Sequence, residues 1–390
     1  MSEGLPDHAE VVIIGGGVMG TSTAFHLAEA GVRDVVLLER HSLASGSTSK
    51  SAGGVRAQFS DAVNVALGWR SLPAFENFAT RPGGSIDLHQ VGYLFLHTDP
   101  HAWELAQQAV ELQNAMGVPT RLVSVDEASS MSPAARLDDV IGATFHARDG
   151  YCSPENVVQG YATGARSLGA TIRTGVAVTG IDSSGGVITG VRTDHGDIAT
   201  STVVCTAGAW SGEVAGWVGV SLPVTPLRRQ ILVTEPLEGQ QRTRFPDDVP
   251  MTIDAASTLY FHREGPGLLL GMSYQDETPG FHPGFTDAWE ADLVAAMERR
   301  APALLDVGIA HRWAGFYEVT PDHNAVVGEA SAASRFLYAS GFSGHGFLQG
   351  PAIGEIMRDL YLGRSPAVDV STMSADRFDT GRTVYELNIV

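Results

Sequence analysis

The chain has 390 residues, 44% of them hydrophobic and 18% charged, and 44 Asp plus Glu against 25 Lys plus Arg give a net charge of −19. That length exceeds one ordinary core and suits two domains. The surplus of acids repels phosphate backbones and anionic lipid, so neither nucleic acid nor a membrane is an expected partner.

Two cysteines, Cys152 and Cys205, make no disulfide framework and sit in no metal-ligand spacing. No metal is expected, and the cytoplasm is the natural compartment. The opening residues, MSEGLPDHAE, carry no basic segment and read as the lead into a core strand, not as a signal peptide. No apolar run approaches the roughly 20 residues that a membrane span needs.

In chain order, the first element is a β-branched strand at 11–14, unbroken as in a parallel strand buried on both faces. Gly15, Gly17 and Gly20 then fit G-x-G-x-x-G, for the tight turn, the approach to a pyrophosphate and the packing of helix on strand. A helix follows to position 30, with Val18 and Met19 at its start, where free N–H groups and the positive dipole end face the phosphates. Gly31 stops it. A second strand, 35–38, ends at Glu39, an acid placed to accept both hydroxyls of an unphosphorylated ribose, with Arg40 beside it. This unit names a dinucleotide without separating NAD from FAD, although its place at the N-terminus favours FAD.

The loop that follows is rich in Ser, Gly and Thr. It offers the Ser47 and Thr48 hydroxyls and, at Gly53 and Gly54, close backbone approach to a planar ligand; a plain surface loop is the alternative. A helix is expected at 61–78, a strand at 87–96 and an amphipathic helix at 103–116, the last two leaving the nucleotide-binding unit. Another helix begins near Pro154 and closes at Gly169. Short strands follow at 171–173, 177–182, 187–193 and 202–206, with a hairpin turn at Ser184-Gly185-Gly186. VVCTAGAW at 203–210 brings Ala207, Gly208 and Trp210 beside something flat, or marks a tight strand-to-helix packing point.

Residues 222–272 are β-rich, 287–300 helical and 309–316 a strand, together the core of a second unit. Near the end a strand at 336–339 runs into Gly341, Gly344 and Gly346, then a helix starting about Pro351, with Gly363 at its C-terminus. This second glycine-loop helix N-terminus is a further anion site.

Four stretches together resemble the D-amino-acid oxidase superfamily of FAD enzymes, especially its sarcosine oxidase and glycine oxidase branch. They are GGGVMG with Glu39, VVCTAGAWS at 203–211, TPDHNAVVG at 320–328 and GFSGHGFLQGPAIGE at 341–355. STSKSAGGVRAQFS at 47–60 is similar to the β-subunit of heterotetrameric sarcosine oxidases and to related glycine or proline dehydrogenases. The resemblance implies an α/β and α+β fold: a Rossmann-like FAD-binding domain of the glutathione-reductase type, from residues 1–86, 146–221 and 312–390. Interleaved with it is a substrate domain, 87–145 and 222–311, built on a mixed β-sheet. It also implies oxidation of an amine's C–N bond by hydride transfer to flavin N5, giving an imine that water hydrolyses to glyoxylate or an aldehyde plus an amine. Such chemistry needs alignment and a carboxylate anchor more than an acid/base pair. The implied FAD contacts are Gly15, Gly17, Gly20, Glu39, Ser47, Thr48, Val178, Ala207, Gly208, and Gly344, His345, Gly346, Phe347 and Leu348 around the ring.

The departures from the family pattern shape the expectations about substrate. Gly315 stands where some members carry a flavin-attaching cysteine, so FAD is expected to be non-covalent. Leu269 stands where a lysine activates oxygen. Leu348 and Tyr317 replace two carboxylate anchors. Arg56 is then the candidate anchor, with a structurally paired arginine as the alternative. Tyr260 and Tyr317 are candidate substrate contacts, and His345 and His262 candidate charge-tuning groups. Arg228 and Arg229 read as sheet-edge or ion-paired residues. The leading expectation is an FAD-dependent oxidase or dehydrogenase of glycine or an N-substituted glycine, passing electrons to O₂ or another acceptor. The alternatives are a D-amino-acid or proline-type dehydrogenase, the flavin subunit of a hetero-oligomer, and an NAD-dependent dehydrogenase, the last disfavoured because GHGF has no use there. A homo- or hetero-oligomer is left open.

Overall fold

Val11–Ile14 forms a central strand of a six-stranded sheet in the computed structural model, which describes residues 4–386. The first three residues of the acidic opening stretch therefore lie outside the described residues. The strand pairs in parallel with Val35–Glu39 on one side and Val203–Cys205 on the other. Thr171–Thr174 and Phe336–Ser340 extend the sheet in parallel, and Val326–Glu329 adds an antiparallel edge. Both faces are covered, hence the unbroken Val/Ile run. Ile13 packs with Phe25, Leu27 and Ile353 under the helices Val18–Glu29 and Gly346–Tyr361, while Val12 and Ile14 meet Val191, Ile198 and Val214. The second face is roofed by the small sheet of Val178–Ser184, Val187–Thr193 and Gly196–Ala199, the meander expected around Gly185.

The larger sheet has eight strands, from Ile309–Val319 at one edge to Arg121–Val123 at the other. It is mixed because Met251–Asp254 runs parallel to Tyr93–His97, the seam where two distant stretches of chain meet; its other pairings are antiparallel. Alternation sorts its side chains. Phe261, Leu268 and Leu270 pack under the helix Asp287–Arg300 with Trp289, whereas Tyr93, Ile231, Ile253, Tyr260 and Leu269 form a cluster on the opposite face. The strand expected at 87–96 begins only at Tyr93, because Asp87 and Gly92 take positive φ and turn the chain. Ile309–Val319 crosses position 312 and pairs along its length with Thr225–Thr234.

The helix expected to start about Pro351 begins at Gly346, and Pro351 sits buried inside it. The turn through Gly341 and Gly344 has already reversed the chain by then. Its neighbour is the TPDHN stretch, where Asp322, fully buried, accepts from Arg377 Nε and Nη2 at 2.8 and 2.9 Å. Arg377 Nη2 and the Thr320 hydroxyl both donate to the Asn324 carbonyl at 2.7 Å. The Asn324 side chain links Val384 to Asn64, which in turn accepts from Gln349 at 3.0 Å. These buried polar groups tie the C-terminal segment to the two helices behind the site.

Burial lowers the pKa of His26, His97 and His262 to about 4 each. A histidine whose folded pKa lies below its unfolded value stabilises the fold above pH 6.5 and loses that contribution as pH falls toward the folded pKa. The unfolding free energy should therefore drop between pH 6.5 and 4, by up to about 1.4 kcal/mol per pH unit for each histidine. Denaturant titrations at pH 7.0, 5.5 and 4.5 measure this, and a flat profile would contradict it.

Candidate active site

A long groove runs along the carboxyl ends of the parallel strands, where open α/β sheets bind their ligands. Gly15, Gly16, Gly17, Val18 and Met19 line one end. Gly20 lies so close to the Gly15 carbonyl that an added Cβ would overlap it, and Gly15 itself has φ +113°. The Val18 N–H donates to Thr48 Oγ1 at 3.2 Å, which places that hydroxyl at the helix N-terminus. Glu39 accepts from the Gly16 N–H and the His41 N–H, both at 2.8 Å, so its carboxylate is fixed in the groove wall. Ser47, Val178, Ala207 and Gly208 line the groove further on. The Arg40 guanidinium lies 4.0 Å over the Trp210 ring, which stacks on Phe281 at 4.9 Å. Glycine turn, helix N-terminus, acid and hydroxyls together fit an adenine dinucleotide.

At its other end the groove meets a smaller cavity. Lys50, Ser51, Arg229, Tyr317, Gly344 and Phe347 line both spaces. Gly344, with φ +99°, sits where any side chain would overlap the Tyr317 ring. Arg56, Tyr93, Met251, Ile253, Tyr260, Met272, His345 and Leu348 surround the small cavity beyond this junction. Among its described lining residues Lys50, Arg56 and Arg229 are basic and none is acidic.

Arg229 corrects the expectation from the sequence. The preceding Arg228 does form the ion pair, with Glu277, through two contacts of 2.9 Å. Neighbours in a strand face opposite ways, so Arg229 turns to the cavity. Its Nη1 donates to the Arg228 carbonyl at 3.0 Å and its guanidinium lies 4.9 Å from the Tyr317 ring centroid. Its buried Nε has no hydrogen-bond partner, and it forms no ion pair among the described residues. Burial lowers its pKa, Tyr317 opposing.

Arg56 lies in the same cavity but is heavily engaged. It donates to the Gln58 carbonyl and lies 4.1 Å over the Phe59 ring. Its segment is held by the fully buried Asp149, which accepts from the Ala57 N–H at 2.9 Å and from Gln58 Nε2 at 3.1 Å. Burial raises the pKa of Tyr260 and Tyr317, keeping both phenols protonated as donors.

The remaining expected residues separate into two groups. His345 and Leu348 line the small cavity, with the His345 ring edge-on to Phe59 at 5.1 Å, and Gly346 and Phe347 line the groove. Gly54 faces the Tyr93 ring in the small cavity, but Gly53 turns to the Cys152 carbonyl, so its close approach is to protein. His262 lines neither space; its nitrogens sit 2.6 and 3.1 Å from the Arg263 and Ala52 carbonyl oxygens.

Sequence reasoning missed Lys50, Tyr93 and Glu318. Lys50 presses on Gly315, where an added Cβ would stand 2.6 Å from Lys50 Cβ, so a side chain at 315 and this lysine exclude one another. Glu318, in the groove beside Gly208, has its pKa raised by burial although Ser47 hydrogen-bonds it. Among the described residues no helix is long and apolar enough to cross a membrane.

The family model for FAD dependent oxidoreductases (DAO) matches residues 10–360. Human mitochondrial dimethylglycine dehydrogenase is 28% identical over 95% of this chain and 44% of its own length. 4-Methylaminobutanoate oxidase (formaldehyde-forming) of Paenarthrobacter nicotinovorans is 28% identical over 96% of this chain and 46% of its own length. The chain thus spans somewhat under half of these curated relatives. The crystal structure of L-proline dehydrogenase from P. horikoshii superposes with a TM-score of 0.91 at 30% identity, covering 97% of this chain and all of that one. With the glycine turn, the fixed Glu39 carboxylate and the two joined cavities in place, the chain belongs to the FAD dependent oxidoreductase (DAO) family.

Proposed function

We propose that the protein oxidises the C–N bond of small amino acids, N-substituted glycines foremost, with non-covalently held FAD. The observation that carries this reading is the cavity with three basic residues and no acid, opening onto the dinucleotide groove. Such a pocket selects a carboxylate. Arg229 pairs with it, Arg56 adds positive potential, and the Tyr93, Tyr260 and Tyr317 hydroxyls orient the substrate. Met251, Ile253, Met272 and Leu348 offer apolar surface to an N-substituent. Dimethylglycine, methylaminobutanoate and proline, the compounds in the relatives' names, each join an alkylated amine to a carboxylate.

FAD, when bound, supplies the two-electron acceptor. The basic residues favour the neutral form of the substrate amine, because nearby like charge disfavours an ammonium. That is the form whose lone pair assists loss of hydride from the adjacent carbon. The apolar wall then limits water until the imine leaves. Residues 1–86, 146–221 and 312–390 hold the cofactor in this reading, and 87–145 and 222–311 the substrate.

A proline-type dehydrogenase using an acceptor other than O₂ is the second reading, favoured by the superposition on L-proline dehydrogenase. Peroxide production and dye reduction, measured side by side with glycine, sarcosine, longer N-alkylglycines and proline, separate the two. N-alkylglycines should give the highest rates; preference for D-amino acids, or turnover of amines without a carboxylate, would contradict the proposal. Gly20→Ala should leave the purified protein without flavin, because the overlap with Gly15 displaces the phosphate-binding turn. Retention of a full complement of FAD would contradict the assignment of that turn.

A further inference from the structure

Of the 25 basic residues in the chain, 24 are arginine; Lys50 is the only lysine. A chain that answers every other need for positive charge with a guanidinium keeps one ammonium, and keeps it at the junction of groove and cavity. The two groups differ in ways that matter there. Guanidinium is a broad planar fork suited to carboxylates, while an ammonium is a compact point charge on a flexible stem.

The backbone around Lys50 is built to hold it. It ends the short 3₁₀ turn Thr48–Lys50, its carbonyl accepts from Trp313 Nε1 at 3.1 Å, and its Cβ rests against Gly315 of the sheet-edge strand. The loop thereby sits between the dinucleotide groove, the small cavity and a third, outer cavity, and Lys50 lines all three. The outer cavity carries Asp87, Glu155, Asp247 and Glu264, yet Lys50 forms no ion pair with them among the described residues.

We infer that Lys50 is the cation that compensates the charge gained at this junction when the cofactor takes two electrons, a reading that rests on FAD binding in the groove. Oxidation of the amine breaks a C–H bond and passes its electron pair, as hydride, from substrate to flavin, leaving an iminium on the substrate. The flavin side becomes electron-rich beside the junction whose walls both Lys50 and Arg229 line. Arg229 is engaged by the substrate carboxylate, so Lys50 carries the compensation. A compact charge close to the electron-accepting group raises its reduction potential. Lys50 thus acts as an electrostatic catalytic residue at the cofactor, while Arg229 pairs with the substrate carboxylate.

The test uses the holoprotein of Lys50→Met and Lys50→Arg without substrate. Sulfite adds to oxidised flavin and leaves a negative charge on it, so its dissociation constant reads positive potential at the ring independently of turnover. Lys50→Met should bind sulfite at least tenfold more weakly, with the two-electron potential more negative by about 30 mV for each tenfold effect. Lys50→Arg should lie between the two. Wild-type sulfite affinity and potential in Lys50→Met, with flavin retained, would overturn the inference and place the side chain in the outer cavity. A wild-type chain that binds no flavin would instead remove the underlying FAD reading. If Lys50→Met does not fold, selective acetylation of this single side chain in the wild-type holoprotein removes the same charge and must give the same loss of sulfite affinity; no change would overturn the inference.

Discussion

Arg229→Met raises KM for carboxylate substrates by roughly 30- to 1000-fold, while flavin content stays at the wild-type level. The size follows from removing one partner of a buried charge-assisted pair, about 2–4 kcal/mol of binding. Among the described residues the Nε of Arg229 has no hydrogen-bond partner and no acid forms an ion pair with the guanidinium, which suits it to a ligand carboxylate. Lys at this position keeps charge but not the fork, and should recover only part of the loss. Arg56→Met tests the neighbouring cation. Because its segment is tied to Asp149, that variant should lose stability as well as affinity, which denaturant titration resolves from steady-state kinetics. An unchanged KM in Arg229→Met would place the carboxylate elsewhere.

Asp322→Ala lowers the unfolding free energy by about 3–5 kcal/mol, because it leaves the buried Arg377 guanidinium without its counter-charge, held only by the Met373, Ser374 and Asn324 carbonyls. The Arg377 side chain is 4% exposed and that of Asp322 1%, so neither water nor a rearranged surface can replace the lost partner. The double variant Asp322→Ala, Arg377→Met should be closer to wild type than Asp322→Ala alone, since the isolated buried charge is then gone. Denaturant unfolding of all four proteins closes the cycle; additive losses would mean that the pair is not coupled. Flavin loss should follow the fall in stability, because the Asn324, Asn64 and Gln349 bonds leave this pair for the helices that back the site.

The parts of the site that a short stretch of chain forms by itself were legible in the sequence. Val11 to Glu39 is one strand, turn, helix and strand, whose spacing alone determines the geometry, and it folds as read. Parts that depend on register were not. Arg228 and Arg229 are identical neighbours, and only the pairing of Thr225–Thr234 between Gly267–Met272 and Ile309–Val319 decides which one meets Glu277 and which the cavity. A shift of one residue would exchange them. Lys50 was hidden for a different reason: it ends a short 3₁₀ turn, and its neighbour Gly315 is 265 residues away in the eight-stranded sheet. Its rarity in the composition was the available signal. Pro351 misled because proline favours a first helical turn, whereas here the glycines before it had started the helix.

In the proposed reaction a carboxylate-selecting cavity delivers an amine to FAD. Anaerobic mixing of the purified yellow protein with sarcosine or a longer N-alkylglycine tests it most directly. The visible flavin absorbance should bleach at saturable rates with these compounds and not with dimethylamine, which lacks the carboxylate. Equal bleaching by both, or none by any amino acid, would contradict it.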